Sequence, residues 1–289
     1  MRIATSPINW NNEDVPDYRP HVSYPRILDE VRDAGYEATE WSSSLPADPP
    51  LLRRDLARRK LKMLGAFIGL GLRHPEIRSQ ELHKALGQAN FLKEIGGKYL
   101  VVADSGDQRR WAAAGHVTPD LGLPDDQWES LTSSLDELGG RVRQLGLTLV
   151  FHNHVGTYVE TAEETARLLE QTDPERVSWC LDCGHLTYGG GDTLEMLGAF
   201  GKRVAYCHLK DVDGRALARA HAESWSFSDA LRRFIFTPLG KGMARIPQVV
   251  EALRSARDDT WAVIEQDTTA FDPTEIAAVN RRYLVELLD

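Results

Sequence analysis

Short apolar and β-branched runs alternate along this chain with longer stretches whose apolar residues recur at helical spacing. The runs predict strands over residues 2–5, 37–41, 62–67, 99–103, 148–152, 177–182, 204–209 and 261–266. Between them, helical spacing covers 23–34, 51–60, 76–96, 125–145, 162–171, 193–200, 246–257 and 273–288. Eight strands, each followed by a helix, require parallel crossover connections. Such units build either an open doubly wound sheet or a closed barrel. No GxGxxG or GxxxxGK(S/T) element follows a strand, which counts against the nucleotide-binding open sheets. The regularity of the eight units favours closure into a single-domain (β/α)8 barrel, α/β in class, spanning 1–289.

Local signals agree with these boundaries. Thr161 and Glu164 have capping-box spacing, and Asp272-Pro273 places a cap before a first-turn proline. Gly35, Gly97, Gly146 and Gly201 follow predicted helix ends. One connection is unusually long. Residues 211–244, after the seventh strand, form an insertion at the strand-end face: a lid or specificity element, or else a surface subdomain or subunit contact.

Composition narrows the function classes. The chain has 289 residues, 42% hydrophobic and 27% charged, enough for one large core. Its formal net charge of −9 argues against a nucleic-acid surface. The densest basic stretch, Arg53 to Lys60, reads as a solvated helix face. No apolar run approaches a membrane span, and the first ten residues lack a secretion-signal pattern, so a cytoplasmic location is expected. Cys180, Cys183 and Cys207 are too few for a disulfide framework. Strand alternation sends Cys180 and Cys183 to opposite faces, which argues against a shared zinc.

The strand ends are where a parallel barrel does its chemistry, and here they are polar: Asn9 and Trp10, Glu40, Asp104, His152 to His154, Asp182 with His185, His208 with Lys210, and Glu265. So many ionisable groups at equivalent depth are costly unless they pair or bind something. His152, Asp182, His208 and Glu265 end strands five to eight in order and fit one divalent ion. Mixed imidazole and carboxylate donors suit Mn²⁺ or Co²⁺ first, with Zn²⁺ or Fe²⁺ behind. His154 shares strand parity with His152, so either imidazole fits that corner. Glu40, His185, Lys210 and Glu265 are the expected acid–base groups. Asn9, Trp10 and His154 are expected to contact a small polyhydroxylated substrate. Lys210 has the alternative of pairing with Asp211.

The motifs LDCGHLTYGGGD and CHLKDV, with the strand ending in Glu265, resemble the xylose-isomerase-like TIM-barrel family of sugar isomerases and epimerases. SPINWNNED, GYEATEW and FHNHVGTYVET resemble its inosose dehydratase (2-keto-myo-inositol dehydratase) branch. The resemblance implies one divalent metal held by Glu, Asp, His and Glu, falling here on His152, Asp182, His208 and Glu265. His152 departs from the pattern, since the family has a glutamate there. Two-base epimerisation uses that glutamate; dehydration of a ketocyclitol does not require it. A metal-dependent hydro-lyase is the leading expectation, with a keto-sugar isomerase or epimerase second and a non-catalytic sugar-binding barrel third. No nucleic-acid or membrane partner is expected, and a homo-oligomer is left open.

Overall fold

The computed structural model describes residues 1–256 and 260–289. Eight parallel strands close into a barrel in chain order. They are β1 (Arg2–Thr5), β2 (Ala38–Trp41), β3 (Lys62–Leu70), β4 (Tyr99–Asp104), β5 (Thr148–His152), β6 (Ser178–Asp182), β7 (Val204–Leu209) and β8 (Trp261–Ile264). The seam is β1 against β8, with Ala4 opposite Val263. Outside lie α1 (Tyr24–Asp33), α2 (Pro49–Arg59), α3 (Arg78–Glu94), α4 (Asp125–Gln144), α5 (Ala162–Gln171), α6 (Thr193–Phe200), α7 (Ile246–Ala256) and α8 (Pro273–Leu288). Arg257, the expected last residue of α7, lies outside the described residues.

Caps explain the helix starts. Thr161 Oγ1 accepts from Glu164 N while the Glu164 carboxylate accepts from the amide of Thr161, the reciprocal box its spacing predicted. Asp272 accepts from Thr274 N and Glu275 N ahead of α8. The stop signals hold less evenly. Gly35 and Gly146 take left-handed φ of 87° and 81°, but after α3 the left-handed residue is Gly96 rather than Gly97. Gly201 keeps a right-handed φ of −56° because a short 3-10 turn continues from it.

The barrel interior is stratified. Ala4, Ala38, Val101, Val150, Cys180 and Tyr206 belong to one apolar cluster inside the barrel. Two residues further along the same strands the inward positions become Glu40, His152, Asp182 and His208, because side chains alternate with period two. An apolar plug therefore seals the bottom, and the charged layer lies above it. Outside, α1 buries Ile27, Leu28 and Val31 completely against the sheet, each worth about 1.5–3 kcal/mol.

The insertion folds onto the same end of the barrel. It carries helices at Gly214–Glu223 and Phe227–Arg232 and an antiparallel pair, Asp211–Val212 with Phe236–Thr237. Its core residues Leu217, Phe227, Leu231 and Phe236 cluster with Val15 and Val155 from the loops after β1 and β5. The insertion thus packs on the strand-end face.

Candidate active site

The charged layer holds four donors from four successive strand ends. His152 Nε2 lies 3.0 Å from His208 Nδ1 and 3.5 Å from Asp182 Oδ2. His208 Nδ1 lies 3.2 Å from Glu265 Oε2 and 3.9 Å from Asp182 Oδ2. All four ligand atoms fall within 4.8 Å of one another, and all four residues are buried. Ligands about 2.1 Å from a common ion in a tetrahedron stand ~3.4 Å apart, so the spacing fits a metal.

Asp182 gives a second sign. Its Oδ1 accepts from His185 N at 2.8 Å, capping the short helix Cys183–Tyr188. Its Oδ2 is buried with no hydrogen-bond donor among the described residues; His152 Nε2 and Lys210 Nζ stand 3.5 and 3.6 Å away, beyond hydrogen-bond reach, so this oxygen is open to a cation. His208 is framed on both sides. Burial alone would lower its pKa, yet Cys180, Glu265 and Glu40 together carry it well above the usual histidine value. Such a site attracts positive charge.

Glu40 stands behind the cluster. Its Oε1 is 3.1 Å from His208 Nε2 and accepts from Tyr206 OH at 3.0 Å. A carboxylate holding the far nitrogen of a ligating histidine fixes ring orientation and tautomer. Lys210 forms the other wall. Its Nζ is 2.7 Å from Asp267, 3.2 Å from Glu265 and 3.6 Å from Asp182. Burial opposes its charge, but these three carboxylates raise its pKa and keep it an ammonium. His185 Nε2 accepts from it at 3.0 Å. Burial, with His154 and Lys210 beside it, lowers the His185 pKa well below its ordinary value, so this ring is neutral.

His152 and His154 take different places in the geometry. His152 joins the donor cluster, and His154 does not. His154 Nδ1 lies 2.7 Å from Val155 O, which can only accept, so Nδ1 carries the proton and Nε2 is an acceptor. Burial, then the charges of His152 and Lys210, push its pKa down to about 3. Its ring lines a cavity of about 310 Å³ together with Glu40, His152, His185, His208, Lys210 and Glu265.

Asn9 and Trp10 are the correction. Neither lines this cavity. Residues Pro7–Asn9 form a 3-10 turn that bends the chain after β1. Asn9 consequently reaches back over the seam, donating to Thr5 Oγ1 and accepting from Gln266 N. Trp10 is fully buried and donates from Nε1 to Glu30 of α1 at 2.6 Å. Both serve packing. Lys210 does not pair with Asp211 either; the Asp211 carboxylate accepts from four backbone amides instead. Among the described residues, Cys180 falls beside His152 and His208 in a donor group that Cys183 does not join.

Other cavity residues escaped the sequence reading. Glu13 and Asp14 enter from the loop after β1, and Phe67, Trp111 and Thr157 complete the walls. Asp104 was visible as a polar strand end, but its partner was not. Arg73 Nη1 reaches both its carboxylate oxygens, at 2.7 and 2.8 Å, while Nη2 donates to Gly106 O, making a buried ion pair. Asp267 is two residues past Glu265, and period-two arithmetic would have placed it beside Lys210 had the count run beyond the strand.

A model of the xylose isomerase-like TIM barrel family matches residues 28–287. An inosose dehydratase of Lacticaseibacillus casei is 32% identical over 287 residues, covering 98% of this chain and 96% of the relative. An inosose dehydratase of Geobacillus kaustophilus is 34% identical over 292 residues, covering 100% and 95%. Among solved structures, the IOLI protein with a binding zinc atom superposes with a TM-score of 0.75 at 15% identity, covering 100% of this chain and 98% of its own. That likeness shows the shared fold. Sequence identity over the full length goes further: the chain belongs to the xylose isomerase-like TIM-barrel family and, within it, to the inosose dehydratase branch.

Proposed function

We propose that this protein is a metal-dependent hydro-lyase that removes water from a ketocyclitol of the 2-keto-myo-inositol class. The observation that carries the reading is the donor set itself, with His152 at the corner where the resemblance leads one to expect a glutamate. A neutral imidazole bound through Nε2 has no lone pair left there to take a proton. Two-base epimerisation loses one of its bases, while elimination still has what it needs. The full-length relatives named inosose dehydratase point the same way.

The proposed ligands are His152, Asp182, His208 and Glu265, with Mn²⁺ or Co²⁺ preferred by this mixed donor set. When bound, the ion supplies Lewis acidity at the ketone oxygen and lowers the cost of the enolate. The chain's own groups do the rest. Lys210, held as an ammonium by Asp267, Glu265 and Asp182, presents fixed positive charge to developing negative charge. Glu265 borders the cavity. His208 and Lys210 overcome its burial and hold its pKa well below the usual range, so it is a carboxylate, and we assign it as the base for the α-proton. His154 Nε2 accepts a hydrogen bond from a substrate hydroxyl, and Phe67 and Trp111 offer apolar faces to the C–H side of a ring. Glu40 acts through His208 rather than on substrate.

The test is water loss from 2-keto-myo-inositol by chelator-stripped and Mn²⁺- or Co²⁺-reconstituted protein, followed by the conjugated absorbance of the product. Reconstitution is expected to restore activity. Equal activity in stripped and reconstituted protein removes the metal from the proposal, and no water loss from either removes the lyase.

A further inference from the structure

Elimination needs an acid for the departing hydroxyl, and the four expected proton-transfer groups are already committed. Glu40 holds His208 and Tyr206. Glu265 meets His208 and Lys210. Lys210 is ringed by Asp267, Glu265 and Asp182, and His185 is a neutral ring whose Nε2 it occupies. The segment SPINWNNED carries the branch resemblance, yet its Asn9 and Trp10 are spent on packing. The same segment continues to Asp14, which borders the cavity shared by His152, His208, Lys210 and Glu265.

We propose that Asp14 is the catalytic acid that protonates the hydroxyl leaving from the substrate. The assignment rests on the dehydratase reading above. Its backbone is fixed: Asn12 Oδ1 accepts from Asp14 N at 2.8 Å and from Val15 N at 3.3 Å, and Asn12 Nδ2 donates to Asp267 O at 3.1 Å. Val15, the next residue, is fully buried in the insertion's core cluster. The loop is therefore anchored on both sides of Asp14, to the strand-eight loop that carries Lys210's partner and to the insertion. Its carboxyl oxygens have no hydrogen-bond donor among the described residues. The neighbouring Glu13, by contrast, is exposed and tied to Ser43 N and Oγ at 3.0 and 2.5 Å. Asp14 is half-buried at the cavity wall, and the partial loss of solvation pushes its pKa up to about 6, with Lys210 opposing and Glu13 adding. An acid near the working pH has a proton to give.

The step balances without a co-reactant. The α C–H bond breaks toward Glu265, and its electron pair forms the enolate. As the enolate collapses, the carbon–carbon double bond forms and the β C–O bond breaks. The Asp14 O–H bond breaks with it, and that proton leaves with the hydroxyl as water. Glu265 is left protonated and Asp14 ionised, and exchange with solvent restores both.

The experiment compares wild type, Asp14→Asn and Asp14→Glu in the metal-loaded protein. Three readouts are taken on 2-keto-myo-inositol and its analogue with fluorine at the departing position: water loss, α-proton exchange in deuterated water, and fluoride release. Fluoride departs without needing a proton. D14N is expected to lose water at least ~10²-fold more slowly, while fluoride release and α-proton exchange stay within about threefold of wild type. D14E, which keeps an acid, is expected to recover part of the water loss. Equal slowing of water loss and fluoride release, or unchanged water loss in D14N, overturns the assignment. Absence of water loss in wild type overturns the dehydratase reading itself, and Asp14 falls with it. Unchanged metal content and melting temperature in D14N tie the result to the carboxyl rather than to folding.

Discussion

Asp211→Asn replaces one oxygen by an NH₂ and is expected to cost about as much as a large core truncation. The wild-type carboxylate is buried and accepts four backbone amides: Oδ1 from Val212 and Ala244 at 3.0 and 2.9 Å, Oδ2 from Gly240 and Gly242 at 2.9 Å each. It pins the 240–244 end of the insertion to its start at Asp211. The fit is close, since a Cβ on Gly242 would overlap Val212 O and the Asp211 carboxylate. Asparagine keeps one oxygen and turns an NH₂ toward two N–H donors. Two bonds to a charged group are lost, each worth about 1.5–3 kcal/mol, and two buried amides are left unsatisfied. Relaxation will recover some of this, so a net loss of about 4 kcal/mol is expected, a large share of a typical ~5–15 kcal/mol. At roughly 2 °C per kcal/mol for a domain of this size, the melting temperature falls by about 8 °C. Urea unfolding followed by far-UV circular dichroism measures the loss directly. Metal affinity below the unfolding transition should stay within about threefold, because Lys210 is held by Asp267 and not by Asp211. A D211N protein within about 1 kcal/mol of wild type refutes the reasoning about the four amides. Lost metal affinity in a fully folded variant refutes the separation of Asp211 from the site.

Two further outcomes follow from the same geometry. Glu40→Gln removes the carboxylate behind His208 Nε2, and metal affinity measured by competition with a chromophoric chelator should weaken by about 10–100-fold; unchanged affinity would separate Glu40 from the metal. Glu160 is buried, which raises its pKa to about 7 despite the amides of Gly156 and Gly115 and the Arg110 charge. The folded state therefore holds a proton that the unfolded chain releases near 4.5, so this group's stabilisation is full below that pH and is lost as pH rises toward 7. A shift of that size is worth about 3 kcal/mol, and metal-free Glu160→Gln should flatten the fall in urea midpoint between pH 5 and 7.5 relative to wild type; parallel profiles contradict the assignment.

The pattern of alternation made the barrel legible because strand and helix periods differ so plainly, and three strands, 2–5, 148–152 and 204–209, begin and end where the pattern puts them. Parity also led to the buried donor cluster, since His152, Asp182 and His208 are terminal residues of their strands or one residue from the end. Parity fails once the chain turns. After β1 the Pro7–Asn9 turn reverses Asn9 and Trp10 into the packing and delivers Glu13 and Asp14 to the cavity instead. The Arg73–Asp104 pair was hidden for another reason: its members lie 31 residues apart on neighbouring elements, and no local pattern links them. Lys210 shows both limits at once. Adjacency suggested Asp211, while the sheet brings Asp267 to it from across β8.

A metal-loaded barrel mouth that eliminates water from a ketocyclitol makes a product that mass spectrometry can identify. Incubating the Mn²⁺- or Co²⁺-reconstituted protein with 2-keto-myo-inositol in deuterated water, followed by mass spectrometry of substrate and product, tests it most directly. A product lighter by one water is expected. A substrate pool that keeps its mass apart from deuterium incorporation, or that converts to an epimer with no water lost, contradicts it.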